Sequence, residues 1–203
     1  MDSEEPVLGR QALKSKKTRE KIINAVVSLI KEGGFSNAST SRISERAGIT
    51  WGAAQHHFGS KEDILDSVME MSHERFTDLM SGEALRKGTL DRRVGLFVDL
   101  MWQHYQTDLY LAGLEILLAT RGDSRRADQP TIYELQSPEH RKTLREIFPE
   151  SKLGDTEMTD ALIFVHCFLT GLTIERVFEK DIRHADVHLK RIKLALQALL
   201  GGA

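Results

Sequence analysis

The chain is nearly devoid of cysteine. It has one cysteine, Cys167, so no internal disulfide and no thiolate cluster can form, a usage that fits a reducing cytoplasm. A catalytic thiol is a weaker reading of Cys167 than a small hydrophobe inside an apolar helix. No glycine-rich phosphate loop, no H-E-x-x-H and no nucleophile elbow occurs. The most apolar run, ALIFVHCFL at 161–169, is too short to span a bilayer and contains His166. The acidic start MDSEEP has the wrong charge for a signal peptide, so a cytoplasmic protein with no membrane partner is expected. Nothing alternates with period two for long, and no internal repeat is visible, which removes most β architectures.

What remains is helical periodicity from end to end, in a chain that is 40% apolar and 29% charged. The net charge of −2 conceals an asymmetry. Between Pro6 and Lys61 ten basic residues face three acidic ones, whereas residues 62–203 carry 18 basic and 24 acidic. A basic segment on an acidic body suggests that only the N-terminal part meets a polyanion, although a solvated basic face would look the same. The expected organisation is a flexible basic arm at 1–15, a three-helix unit at 16–60 and a helical body at 61–203.

Within the unit, Ile22, Val26, Leu29 and Ile30 share one face of a first helix that Gly33-Gly34 stops. A second helix starts after Ser39 as N-cap and ends at Ala47-Gly48; a third runs from about Thr50 to Phe58. Ser60 and Asp63 form a variant capping box before a longer fourth helix. Two short helices joined by a glycine-led turn, SRISERA-GIT-WGAAQHHF, are the helix-turn-helix pattern. The third helix lacks an apolar face of its own, as expected of one that enters a major groove. Gln55 suits bidentate reading of adenine, with a phosphate or water contact as the competing role. Ser39, Ser41 and Arg42 suit phosphate anchoring at a helix start, and Lys14, Lys16, Lys17 and Arg19 suit backbone or minor-groove contact. Trp51 fits either a sugar or thymine methyl, or packing beneath the turn.

The stretch TREKIINAVVSLIKEGGFSNASTSRISERAGITWGAAQHHFGSKEDILDSV resembles the DNA-binding domain of TetR-type transcriptional repressors over about residues 16–68. The resemblance implies that Thr50, Trp51, Gly52, Ala53, Gln55, His56 and His57 face DNA and that Lys61 meets a phosphate. Trp51, Ala54 and the Gln55-His56 pair depart from the family's usual residues, so the operator sequence is not carried over.

In the body, TDALIFVHCFLTGLTIERVF is apolar nearly all round, and the last helix has a stripe of Leu189, Ile192, Leu196 and Leu199. Both helices either complete a monomeric core or, as the resemblance implies, form a four-helix interface with a second copy. Ala161, Phe164, Val165, Phe168 and Leu172 are the interface candidates on the first of them. Phe76, Phe97, Met101, Trp102, Tyr105, Tyr110, Leu114, Glu115, Leu118 and Tyr133 are candidates to line an effector cavity, with core packing as the competing role of each. Glu115 stands out, because a carboxylate in a greasy helix needs a partner: a cationic ligand or a neighbouring arginine. No metal and no cofactor is expected; His184 and His188 behind Asp181 have helical spacing but no third ligand.

The expectation is therefore an all-α protein: an N-terminal helix-turn-helix domain followed by a larger ligand-binding and dimerisation body. It would act as a dimeric repressor of a palindromic operator, released by a small, mostly apolar effector through a population shift. Coupling of ~1–3 kcal/mol corresponds to about 5- to 150-fold weaker operator binding. A ligand-independent DNA-binding or architectural protein is the alternative class, and an all-α enzyme using the body cavity a more distant one.

Overall fold

The computed structural model describes residues 9–122, 138–179 and 182–201. Among them the secondary structure is helical: α1 (Arg10–Gly33), α2 (Thr40–Ala47), α3 (Trp51–Phe58), α4 (Lys61–Ser81), α5 (Leu90–Tyr105), α6 (Asp108–Thr120), α7 (Pro138–Ile147), α8 (Asp155–Phe178) and α9 (Ala185–Gly201). Short 3-10 turns at Phe35–Asn37 and Glu83–Arg86 join α1 to α2 and α4 to α5. Helix α1 already runs at Arg10, so the part of the expected arm from 10 to 15 is helical. Tyr133, one of the expected cavity residues, lies outside the described residues.

The chain divides into two compact units. The first holds the chain up to Ser72 together with Asp108–Arg121; the second holds His73–Thr107 and the chain from Gly122 on. Sequence order alone assigns α6 to the body, but α6 packs with α1 in the first unit. Its contribution to that core is Leu109, Ala112 and Ile116, spaced i, i+3, i+7. They join Ile22, Val26, Leu29 and Ile30 of α1, Ile43 and Ala47 of α2, Ala54 of α3, and Ile64, Leu65 and Val68 of α4. Lys31 Nζ reaches Asp108 Oδ2 at 2.8 Å, an exposed pair that adds little stability but sets the same pairing of helices.

In the second unit α5 supplies Val94, Phe97, Val98, Met101, Trp102 and Tyr105 to the core. Phe97 meets Phe148 edge-on at 5.4 Å between ring centroids. Truncating such a buried ring costs about 3–5 kcal/mol. Arg93, itself buried, donates to the carbonyl of Gly88 and pairs with Glu150, which closes the corner where α5 begins. At the far end of α5 the carbonyl of Tyr105 accepts the buried hydroxyl of Thr173 at 3.0 Å, and the Tyr105 hydroxyl meets His166 Nδ1. These bonds tie α5 to α8.

Helix α8 has the length and apolar composition to cross a membrane, which the shorter run counted in the sequence did not suggest. It buries Ala161, Leu162, Val165, Leu169 and Thr173 against its own unit. On its other face Phe164, Cys167, Ile174, Val177 and Phe178 are exposed. In α9 the buried residues are Ile192, Leu196 and Leu200, while Val187, Leu194 and Leu199 are exposed. The interface candidates therefore divide. Ala161, Val165, Ile192 and Leu196 are core residues of their own unit; Phe164 and Leu199 point to solvent, and Phe168, Leu172 and Leu189 are half-buried.

Candidate nucleic-acid interface

The reading head is built from caps. Ser39 Oγ accepts the N–H of Arg42 at 3.4 Å and Thr50 Oγ1 accepts that of Ala53 at 3.2 Å. Each cap supplies an acceptor for one of the orphan N–H donors of a helix start and is worth about 1 kcal/mol. Between them Gly48 sits at φ 63°, ψ 41°, in the left-handed region, and its N–H bonds back to Glu45 and Ser44. A side chain there is strained, so glycine sets the angle at which α3 leaves α2. Ser60 and Asp63 complete the series. Ser60 N–H donates to Asp63 Oδ2 at 2.8 Å and Asp63 N–H to Ser60 Oγ at 3.1 Å, starting α4.

This frame leaves α3 with one fully buried residue, Ala54. Thr50, Gly52, Gln55 and His56 are exposed, Ala53 and His57 half-buried. A Cβ at Gly52 would meet nothing within 4 Å, so the helix is slim on its outer side. Trp51 is half-buried and packs on the hydrophobic core, the scaffolding role weighed against DNA contact above. Ser41 and Arg42 are exposed at the start of α2, and Lys14, Lys16 and Lys17 along the first turns of α1.

Three basic residues turn out to be engaged in the fold. Arg46 forms a fork with Glu32, at 2.6 and 2.7 Å, and its guanidinium holds the Glu32 carboxyl below the usual carboxylate range. Arg19 donates to the carbonyl of His57 at 2.5 Å and to Ser67 Oγ at 3.3 Å, and its guanidinium lies 4.0 Å from the centroid of the Phe58 ring. It clamps the end of α3 onto α1 and α4. Lys61 Nζ lies 5.1 Å from the centroid of the Phe35 ring, a cation–π arrangement worth about 0.5–1 kcal/mol at a part-exposed site. Sequence reasoning missed Phe35 and Asn37. Asn37 donates to the carbonyl of Leu29 at 2.7 Å and accepts from Arg42, which orients that exposed guanidinium.

The effector candidates fall in two places. Phe76, Phe97, Met101, Trp102 and Tyr105 are buried in the second unit, where the buried His104 ring meets Phe76 at 5.5 Å. Tyr110, Leu114, Glu115 and Leu118 belong to the first unit. Leu118 is 51% exposed, and Glu115 Oε2 accepts the backbone N–H of Phe35 at 2.8 Å. Within the fold, Glu115 is thus partnered by a peptide group rather than by an arginine. His184 takes a positive φ of 58° before α9, the ring of His188 lies 6.5 Å from that of Phe168, and Asp181 lies outside the described residues. Among the described residues no three His, Cys, Asp or Glu side chains converge as metal ligands.

Comparison with known proteins agrees with this geometry. Residues 22–68 match the family model of bacterial regulatory proteins, tetR family. The HTH-type transcriptional regulator BetI of Escherichia coli O17:K52:H18 is 28% identical over 147 residues, 71% of each chain. A transcriptional regulator from Rhodococcus sp. Rha1 superposes with a TM-score of 0.63 at 18% identity, over 90% of this chain and 94% of that one. The TetR family regulator PfmR from Thermus thermophilus gives 0.56 at 18% identity, over 89% and 97%. Residues 22–68 thus match the DNA-binding domain of bacterial regulatory proteins, tetR family, and the described remainder is wholly helical, with a fold similar to that of the two solved regulators.

Proposed function

We propose that the chain is a cytoplasmic repressor that binds a palindromic operator as a homodimer and is released by a small, mostly apolar effector. The observation that carries the DNA-binding part is the sidedness of α3: Ala54 alone is fully buried, and Gly52, Gln55 and His56 are exposed. Gln55 reads a base edge, most simply adenine through N6 and N7, which is worth ~1–3 kcal/mol of discrimination. Thr50, Ala53 and His56 lie against the sugar-phosphate walls, while Ser39, Ser41, Arg42, His57 and Lys61 meet phosphates.

Support for the dimer comes from α8 and α9. Phe178 is 77% exposed, Leu194 57% and Val177 55%, apolar side chains that a second copy would cover. An isologous contact of α8 and α9 with a second copy covers them and gives two reading heads related by a two-fold axis, as a palindrome requires. The effector site is proposed among the aromatic side chains buried in the second unit, Phe76, Trp102 and Tyr105, beside His104. No catalytic step enters this reading.

The test is fluorescence anisotropy of the chain with duplex from its own upstream region, against scrambled duplex, over a salt series. Preference for the upstream duplex, weakened steeply by salt and lost in Gln55→Ala, is the expected result. Absence of binding to any duplex at low salt overturns the reading.

A further inference from the structure

Gly34 opens the 3-10 turn Phe35–Asn37 with no side chain to cap it, so the N–H of Phe35 needs an acceptor from elsewhere. The acceptor is Glu115, 80 residues away on α6, at 2.8 Å. Gly34 itself has a φ of 75°, and a Cβ built there would stand 3.4 Å from Glu115 Oε2. The carboxylate therefore lies directly against the backbone at this corner. The ring of the residue so held packs on the core of the first unit and faces the ammonium of Lys61, the first residue of α4. Glu115, Phe35 and Lys61 form one physical chain from α6 to the start of α4, all within the first unit.

We propose that Glu115 is a positioning residue of the DNA interface: by fixing Phe35 it holds Lys61 where it meets a backbone phosphate. The inference rests on the DNA-binding role proposed above. The competing role of Glu115 is to satisfy one N–H and nothing else. The two differ in sign. Deleting a carboxylate that only satisfies a loop removes negative charge from a DNA-binding unit, and binding stays equal or tightens. Deleting one that positions Lys61 weakens binding and removes a phosphate contact.

The experiment is a double-mutant cycle read in the salt dependence of duplex binding, with Glu115→Leu, Lys61→Ala and both together. Loss of one phosphate contact lowers the slope of log K against log salt by about 0.9. Lys61→Ala is expected to show that loss, Glu115→Leu most of it, and the double variant no more than Lys61→Ala alone. Glu115→Gln keeps an acceptor for Phe35 and is expected to keep the wild-type slope. An unchanged slope in Glu115→Leu, tighter binding, or additive losses overturn the proposal. If Glu115→Leu loses its helical circular dichroism, Phe35→Leu takes its place in the cycle; it removes the ring but not the N–H, and additivity with Lys61→Ala overturns the proposal equally. Wild-type binding without salt dependence would instead sink the DNA-binding reading. A normal slope in Lys61→Ala would sink the phosphate role of Lys61, and this inference with it.

Discussion

Arg19 is a basic residue whose contacts build the N-terminal helical unit from within. Its guanidinium makes two hydrogen bonds, to the His57 carbonyl and to Ser67 Oγ, and covers the Phe58 ring at 4.0 Å. A hydrogen bond from a charged donor contributes about 1.5 kcal/mol at the low end, and a part-exposed cation–π contact about 0.5 kcal/mol. Discounted for solvent screening at a half-buried site, Arg19→Ala should cost about 2–3 kcal/mol, or roughly 30- to 150-fold in the local opening equilibrium. The loss should fall where the bonds end, on α3 and the Gly59 turn, so amide hydrogen exchange across residues 51–59 is the assay. Arg19→Lys keeps the charge but not the fork and should lose most of the same protection. Its duplex-binding salt slope should stay at the wild-type value. Exchange in Arg19→Ala within about 0.5 kcal/mol of wild type would refute the clamp. So would a salt slope lowered by about 0.9 in Arg19→Ala, because that is the mark of a phosphate contact.

Gly48→Ala should destabilise the first unit by about 1 kcal/mol in chemical denaturation, since φ 63° is strained for any side chain. Gln55 is exposed, so Gln55→Ala should leave the melting temperature unchanged while weakening operator binding by ~1–3 kcal/mol and relaxing the preference at one base pair. Phe164→Glu, at an exposed site on α8, should shift the sedimentation coefficient towards a monomer and leave the helical circular dichroism intact. His104 is pushed down to about 4 by burial and then by the nearby Arg75 charge, so the fold holds it neutral. Its stabilising effect is complete above the unfolded value of about 6.5 and is lost as pH falls from there towards about 4. The second unit should therefore be less stable to denaturation by about 2 kcal/mol at pH 5 than at pH 7. His166, lowered by burial, acts in the same direction, and His104→Phe should remove most of the pH effect.

The local frame of the reading head was legible because it is written in short-range chemistry. Ser39, Thr50 and Ser60 are hydroxyl caps, and each cap bonds an N–H three residues on. Gly48 ends α2 because a left-handed residue is cheapest as glycine. Ile43, Ala47 and Ala54 are inward because a period of 3.6 leaves few ways to bury them together. Helical patterning also marked the two helices that became α8 and α9.

Other features depended on partners distant in the chain. Arg19 reads as a free cation beside Lys16 and Lys17, and only the approach of the His57 carbonyl, 38 residues on, makes it a clamp. Glu115 reads as a ligand group in an apolar helix until α6 packs on α1 and brings the Phe35 N–H to it. The stripes of α8 and α9 show the same limit. Periodicity groups Val165 with Leu169 and Ile192 with Leu196, but an apolar helix has more than one such stripe, and packing chose which to bury. Caps and turns are settled by residues three or four apart, so the sequence determined them by itself. The acceptor for a guanidinium, the donor for a buried carboxylate and the face of an all-apolar helix are settled by whatever the folded chain brings within about 4 Å, and only the tertiary structure decided those.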